Sequence, residues 1–231
     1  MPRGPAPSRA RPTRSGARAQ VRGDRTRAAI IAETVRCIGE EGFAAASAKH
    51  VAERAGVTWG VIQYHFGDRN GLLAAVVTDG YERFRSALES MTVPDGPTRQ
   101  RVEVVVEAAW AAFSSPESLA SLEILIATRA NRDGARRTGL EVMARDMRRL
   151  GALLVGDAPD ADGRQGLVGE VLLATLRGLV LSQMVTPQPV DTSAERAVLV
   201  GLIRAFLDDT GPGGRVPPSD RWAGTTPRPP S

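Results

Sequence analysis

The sequence of 231 residues is poor in the residue types that build disulfide scaffolds and metal centres. Its one cysteine, Cys37, excludes an internal disulfide framework and fits a reducing compartment. Cys37 and the two histidines, His50 and His65, show no metal-ligand spacing along the chain, so we expect no metal site. No uninterrupted apolar run approaches the ~20 residues of a membrane span, and none follows the basic N-terminus as in a secretory signal.

Lysine is almost absent, since Lys49 is the only one among 30 basic side chains. The charge is also uneven, because residues 1–69 hold twelve basic and six acidic side chains while the remainder is slightly acidic. A basic front half indicates either a polyanionic partner that meets one end of the chain or a solubilising tail. Charge alone leaves both alternatives open.

Both ends of the chain are rich in proline and glycine and are predicted to lack fixed structure. Residues 1–23 hold six arginines and no acidic side chain, and residues 211–231 are similarly rich in proline and glycine. Such segments bury too little apolar surface to offset the entropy of ordering them.

Between these ends the hydrophobic pattern has the helical period. Ile31, Val35 and Ile38 share one face, and Gly42 is placed to end that helix. No alternating β-branched run bounded by turns occurs, so the sequence predicts an all-α protein of about nine helices. The longer periodic segments follow Asp68 as far as Pro94 and then span about 98–113, 116–130, 136–155, 165–185 and 192–207.

Residues 47–66 are predicted to form two short helices joined by a tight turn. Ser47 and Thr58 are typical N-cap residues, and Gly56 is free to take the positive φ of a sharp turn. This arrangement is typical of a helix-turn-helix. In the second helix the apolar residues Val61, Ile62 and Phe66 are predicted to point into the core.

The opposite side of that second helix we call the recognition face, and it consists of Trp59, Gly60, Gln63, Tyr64 and His65. Exposing such large side chains together is unfavourable unless something binds there. An amide suits a base edge, and hydroxyl and imidazole donors suit phosphate oxygens. The sequence therefore predicts a nucleic-acid surface made of Ser47, Lys49, Thr58, Trp59, Gly60, Gln63, Tyr64, His65 and Arg69.

The stretch "EGFAAASAKHVAERAGVTWGVIQYHFGDRNGLL", within a match from about Asp24 to Phe84, resembles the TetR family of bacterial transcriptional repressors. The resemblance implies a DNA-binding domain over residues 24–90, whose helix-turn-helix at about 47–66 places its second helix in the major groove. It also implies a helical ligand-binding and dimerisation domain over residues 91–210.

Two positions depart from the family pattern. The family usually has tyrosine at Gln63, so an amide contact is expected to replace a phosphate contact there. It usually has lysine at Arg69, followed by an acidic residue where this chain has Asn70; arginine keeps the charge, so that phosphate contact is expected to survive. Trp59 stands where the family varies most and is the candidate for choosing the operator sequence. The arm formed by residues 1–23 is expected to follow phosphates or enter the minor groove.

The last two predicted helices are the most apolar, so they are either buried within the subunit or paired with a second copy. The resemblance favours a homodimer that reads a palindromic operator in double-stranded DNA. The expected interface residues are Leu172, Leu176, Leu179, Val198, Leu202 and Phe206.

A small apolar effector is expected between the middle helices, where it would bind one dimer geometry better and so weaken DNA binding. For each lining residue, a place in the ordinary core is an equal alternative. The candidate lining residues are Glu107, Trp110, Phe113, Glu123, Met143, Met147, Gln183 and Met184.

Enzymatic activity and a cofactor are not expected, because no Ser-His-Asp or Cys-His grouping and no phosphate-cradling glycine loop can be assembled. The expected function is a homodimeric, ligand-responsive, cytoplasmic DNA-binding regulator that acts as a repressor. An activator, and a helical adaptor that works through protein partners, are the alternatives. A helical small-molecule enzyme ranks third.

Overall fold

A computed structural model describes residues 14–129, 164–186, 188 and 190–208. Within those ranges the chain forms α-helices and no strand, which confirms the all-α prediction there. The predicted helix at 136–155 lies outside the described residues. The eight described helices are α1 (Arg14–Glu41), α2 (Ala48–Arg54), α3 (Trp59–Phe66), α4 (Arg69–Glu89), α5 (Thr98–Phe113), α6 (Pro116–Ala127), α7 (Arg164–Val185) and α8 (Ser193–Asp208).

The start of α1 differs from the prediction for the N-terminal arm. Residues 14–23 are helical, whereas the sequence predicted no fixed structure as far as residue 23. Arginine, alanine and glutamine, which dominate this stretch, are good helix formers, and extending an existing helix needs no new nucleus. Residues 1–13, and the predicted tail at 211–231, lie outside the described residues.

The chain divides into two compact units, an N-terminal unit up to Val76 and a C-terminal unit from Val77. The division falls inside α4, earlier than the expected domain boundary after residue 90. Leu72 and Leu73, at the start of α4, are buried in the N-terminal unit. Phe84 belongs to the core of the C-terminal unit, so this one helix serves both units.

The core of the N-terminal unit follows the predicted apolar faces. Ile31, Val35 and Ile38 of α1 are buried, as are Val51 of α2 and Ile62 of α3. Helix α1 packs against α2, and α2 packs against α3. We call α1 and α2 together the platform of α3. Burial of this stripe therefore fixes which side of α3 faces outward.

The C-terminal unit is organised around α5, which packs against α7 and α8. Leu172 and Leu176 of α7 are 0% exposed in the single chain and belong to its core with Val105 and Val106 of α5. The prediction that these two leucines lie in a dimer interface was wrong, because side chains without exposed surface cannot contact a second copy. Leu179 also packs on this core and is partly buried.

One stretch of α7, Gly166–Val185, is long and apolar enough to cross a bilayer by length and composition. Glu170 and Arg177 interrupt this stretch, so it is not an uninterrupted apolar run. The core helix of a soluble protein meets the same criterion. Within the described residues 33% of this stretch is buried.

Candidate nucleic-acid interface

The start of α2 and the turn after it have the predicted geometry. Ser47 takes the extended N-cap conformation, and its Oγ accepts a hydrogen bond from the backbone N–H of His50 at 3.2 Å. Gly56 has φ +64°, the left-handed conformation that glycine adopts without a Cβ penalty. Because the Ser47 Oγ only accepts in this cap, the hydroxyl hydrogen of Ser47 can still be donated to a phosphate.

Thr58 begins α3 with a different cap from the one predicted. Its backbone is extended, and its carbonyl accepts from the N–H of Val61 at 3.0 Å. Its side chain makes no cap hydrogen bond. The exposed hydroxyl of Thr58 therefore does not cap α3 and lies at the N-terminus of that helix.

The recognition face lies on the outer side of α3, as predicted. Trp59 is 47% exposed and Tyr64 is 84% exposed, and Gly60 and Gln63 are also exposed. Ile62, on the inner side, is completely buried. A short helix with one buried anchor and several exposed aromatic and amide side chains is suited to binding a partner surface.

His65 is half-buried and lies at the edge of the recognition face, against α1. Its ring contacts the ring of Tyr64 edge-on, with centroids 5.0 Å apart. Together with Gly60 it lines a cleft of about 610 Å³ between α3 and α1, which is also lined by Arg22 and Thr26. The N-terminal part of α1 therefore forms one wall of the candidate interface.

Phe66 differs from its prediction as a core residue. It is half-buried, and the guanidinium of Arg27 lies over its ring, 5.5 Å from the centroid. The contact is a cation–π interaction between α1 and the end of α3. Val61, the third residue predicted to point inward, is also half-buried.

Arg69 donates within the protein instead of standing free for a phosphate. Its Nε donates to the carbonyl of Ala46 at 2.8 Å, and an η-nitrogen donates to the carbonyl of Phe43 at 3.2 Å. The guanidinium also lies 4.7 Å from the centroid of the Phe43 ring. In this structure Arg69 ties the start of α4 to the connection between α1 and α2.

A single arginine joins α2 to α1, and we call it with its partners the Arg54 clamp. Arg54 pairs with Glu33 at 2.7 Å, with Glu40 at 2.6 Å and with Glu41. The hydrogen bond from Arg54 holds the pKa of Glu33 below its ordinary value although burial opposes this. The hydrogen bonds that Arg54 donates to Glu40, Glu33 and Glu41 raise the pKa of Arg54 above its ordinary value. The clamp fixes the platform beneath α3.

Lys49 and the arginines of α1 surround this platform with positive charge. Lys49 is exposed and lies 3.9 Å from Glu53, a weak exposed pair. Arg22, Arg25 and Arg27 are exposed along α1. Exposed cations beside the recognition face are the electrostatic footprint expected of a surface that meets phosphates.

Several residues that shape this surface were missed from the sequence. Arg54 and Glu33 are 21 positions apart, so their spacing does not indicate an ion pair. Arg22 and His65 lie on different helices, so the sequence does not show that they line the same cleft. Gly71 was missed as well, although a Cβ there would lie 1.9 Å from the carbonyl oxygen of Phe66. Two closely spaced glycines, Gly67 and Gly71, are the feature of the sequence that could have indicated this close approach.

The described residues predicted to line an effector pocket make other contacts. Arg196 pairs with Glu107 at 2.8 Å and lies over the Trp110 ring at 4.9 Å. Phe113 packs on Phe84, with ring centroids 4.6 Å apart.

Gln183, on α7, uses its side-chain nitrogen to donate to the carbonyl of Val190 at 3.1 Å. Glu123 is half-buried and has a partner within the protein, and Met184 is half-buried. Met143 and Met147 lie outside the described residues.

Of the remaining predicted interface residues, Val198 and Leu202 of α8 are 62% and 64% exposed. With Val171 of α7 they form what we call the outer apolar face. Phe206 is half-buried beside them. All four line a groove of about 320 Å³ between α7 and α8.

The fold and the exposed α3 define a helix-turn-helix protein of the kind that binds DNA. Residues 30–76 match the family model "Bacterial regulatory proteins, tetR family". This part of the chain is therefore a DNA-binding domain of the TetR type. The resemblance seen in the sequence is thereby confirmed.

A curated relative agrees with the family match over the same part of the chain. The HTH-type transcriptional regulator BetI of Klebsiella pneumoniae is 37% identical over 79 residues, which are 33% of this chain and 40% of that protein. BetI of Escherichia coli gives a similar match, 35% over 80 residues, 34% of this chain and 41% of that protein. The chain therefore matches about two fifths of the length of these relatives.

Solved structures show the same fold over a larger share of the chain. A putative TetR-family transcriptional regulator from Rhodococcus sp. has a TM-score of 0.60 at 20% identity, covering 79% of this chain and 99% of that one. The multidrug binding protein EbrR, solved with imidazole, has a TM-score of 0.50 at 25% identity, covering 77% and 89%. The C-terminal unit therefore belongs to the same architecture.

Proposed function

We propose that the chain is a DNA-binding transcriptional regulator that contacts the major groove through the recognition face of α3. The observation that carries the proposal is the exposure of Trp59 and Tyr64 on a short helix whose other side is anchored by buried Ile62. Gln63 has the donor and acceptor needed at a base edge, and Trp59 offers apolar contact. Tyr64 and His65 have donors suited to phosphates.

The wall formed by α1 supports the same proposal. Arg22 lines the cleft beside His65 and Tyr64, so a phosphate in this cleft would meet a cation and two further donors. Ser47 and Lys49 extend the donors to the start of α2. In this proposal Arg69 contributes by holding the turn between α1 and α2.

The experiment that tests this function is selection of bound fragments from a random double-stranded DNA pool by the purified full chain. A defined motif with inverted half-sites is expected. Its affinity should fall with salt, with a logarithmic slope of about 0.9 for each phosphate neutralised. Recovery of no enriched motif, or of binding without salt dependence, would contradict the proposal and favour an adaptor that works through protein partners.

We also propose that two copies pair through the outer apolar face to form the homodimer that reads a palindrome. Two recognition helices would then lie one DNA turn apart, about 34–36 Å, or a multiple of it. What supports this is the exposure of Val198 and Leu202 on a helix that is otherwise part of the core.

A charge introduced into this face tests the dimer. Val198→Asp should convert the chain to monomers in light scattering and weaken binding to a palindromic site, because it places a carboxylate in an apolar interface. Val185→Asp makes the same change at another exposed valine, outside the groove, and should leave the mass unchanged. A dimer that survives Val198→Asp would assign the interface to another surface.

We further propose that an apolar small molecule lowers operator affinity, so that the protein represses its targets in the cytoplasm until the ligand appears. The support is the likeness of fold to EbrR, which is described as a multidrug binding protein. A ligand shifts DNA affinity only by its differential affinity for the two dimer states. The test is to titrate apolar compounds against the protein bound to its selected DNA, and unchanged affinity at saturation would reject this step.

A further inference from the structure

Three donor side chains that are separate in sequence converge where α1 meets α2. The Sγ of Cys37, a carboxylate oxygen of Glu41 and a ring nitrogen of His50 all lie within 4.8 Å of one another. Sulfur, carboxylate oxygen and imidazole nitrogen are the three ligand types that hold Zn²⁺ in proteins. No metal-ligand spacing was visible along the chain because the donors come from two helices.

Local structure explains why these side chains meet. Cys37 and Glu41 are four residues apart on α1 and therefore share one face of that helix. His50 stands in the first turn of α2, whose N-cap is Ser47, and its Nε2 lies 2.9 Å from Oε2 of Glu41. The Arg54 clamp holds α2 at this distance from α1.

The three donor atoms are close enough to one another to share one ion after a small rearrangement. With metal–ligand bonds of about 2.0–2.3 Å, neighbouring ligands in such a centre are about 3.3–3.6 Å apart. His50 and Glu41 are already closer than that. Small rotamer changes would therefore place an ion between all three donors, with the half-buried His50 and exposed Glu41 on its solvent side.

The charges around the three donors also suit a divalent cation. Glu33, Glu40 and Glu41 pair with Arg54, and Arg36 pairs with Glu33, so three carboxylates face two guanidiniums. A Cys37 thiolate would add a second uncompensated negative charge, which one divalent ion would neutralise. A thiol binds such an ion as the thiolate, so the ion must displace the Cys37 proton on binding.

Arg54 is placed to support such a centre without blocking it. It donates to Oε1 of Glu41, while Oε2 faces His50. An ion can therefore replace the proton between His50 and Glu41 while Arg54 continues to orient the carboxylate. Hydrogen bonds of this kind to a ligating carboxylate are usual around protein metal sites.

We propose that Cys37, Glu41 and His50 bind one divalent cation of the zinc class, with a fourth position open to water. The ion would join α1 to α2 beneath the recognition helix. This inference does not depend on DNA binding, because none of the three donors belongs to the recognition face and occupancy of the site is measured without DNA.

Cobalt(II) titration of the purified, reduced full chain tests the site, since Co²⁺ adopts the geometry of Zn²⁺ and shows a thiolate charge-transfer band. One equivalent should produce that band, and Zn²⁺ should remove it. His50→Gln, a change at a half-buried position, should weaken Co²⁺ binding at least tenfold. Cys37→Ser should abolish the band.

Two control variants separate the site from adventitious binding. His65→Ala removes the other histidine, and Glu53→Gln removes an exposed carboxylate of α2; both should retain the band at wild-type affinity. Zn²⁺ should raise the melting temperature of the wild type and not of His50→Gln. Absence of the band in the wild type, or equal Co²⁺ affinity in His50→Gln, would overturn the proposal.

Discussion

The two units of the molecule are stabilised by different kinds of contact. In the N-terminal unit, two short helices are held by a serine cap, glycine turns, the Arg54 clamp and the hydrogen bonds of Arg69. In the C-terminal unit, long helices are held mainly by an apolar core between α5, α7 and α8. The N-terminal unit therefore adds directional polar contacts to its apolar core, whereas the C-terminal unit is stabilised mainly by apolar packing.

This difference follows from helix length. Helices of seven and eight residues, such as α2 and α3, are too short to be stable alone and bury few side chains, so each polar contact matters. The 22 residues of α7 bury Leu172, Leu176 and other side chains along several turns. We therefore expect the same type of substitution to change the stability of the protein by different amounts in the two units.

The largest expected effect is cavity formation in the C-terminal core. Leu172→Ala should destabilise the protein by about 2–5 kcal/mol in urea denaturation, because it empties space around a fully buried side chain. Leu202→Ala makes the same change at an exposed position and should leave the unfolding midpoint of the subunit nearly unchanged while weakening the dimer. Equal losses of stability in both variants would contradict the assignment of Leu172 to the core.

A steric test of the N-terminal unit comes next. Gly71→Ala should cost about 3 kcal/mol, because its Cβ would lie 1.9 Å from the carbonyl oxygen of Phe66 and the backbone must move. Gly39→Ala is the control, since nothing lies within 4 Å of its Cβ, and in the last turn of α1 it should stabilise by up to about 1 kcal/mol. Calorimetry of the two variants checks the sign of each change.

The Arg54 clamp predicts acid sensitivity. Because Arg54 lowers the pKa of Glu33, this contribution is complete above the unfolded value of 4.5 and is lost as pH falls through the lower folded value. Arg54→Ala should lower the urea midpoint at neutral pH and flatten its pH dependence below 4.5, because Glu33 loses the partner that lowers its pKa. Urea midpoints between pH 7 and pH 3 measure both effects.

An exposed ion pair in the C-terminal unit is the control for the clamp. Arg99 pairs with Glu103 at 2.8 Å on the surface of α5. Arg99→Ala should leave the urea midpoint nearly unchanged, because solvent screens this exposed pair. If it matches the loss in Arg54→Ala, the clamp has no special role.

The smallest expected effect on stability is at Trp59, which is nearly half exposed. Trp59→Ala should change the melting temperature by little, because few of its contacts lie within the unit. A large drop in melting temperature would mean that Trp59 serves the fold and not a partner.

Sequence patterns were sufficient for the features that depend on neighbours along the chain. Helical periodicity identified the described helices, and the cap at Ser47 and the turn at Gly56 located the helix-turn-helix. The exposure of Trp59 and Tyr64 followed from placing Ile62 inward, and the structure confirmed it.

Features that depend on distant pairs were not predictable in this way. Arg69 was predicted to bind phosphate from its charge and its place at the start of a helix. The carbonyls of Phe43 and Ala46 to which it donates are more than 20 positions away, so the sequence does not show these contacts. Leu172 and Leu176 were assigned to an interface because the family resemblance favoured pairing of the last two helices, and periodicity does not say which face of α7 meets α5. Three-dimensional packing decides both cases.

The account rests on α3 reading DNA with its outer side, and the most direct measurement compares Trp59→Ala with the wild type on DNA selected from one random pool. We expect the variant to fold normally, to bind the wild-type motif more weakly by about 1–3 kcal/mol, and to enrich a different base preference. The same motif enriched at the same affinity by both proteins would show that DNA, if bound at all, does not meet this face.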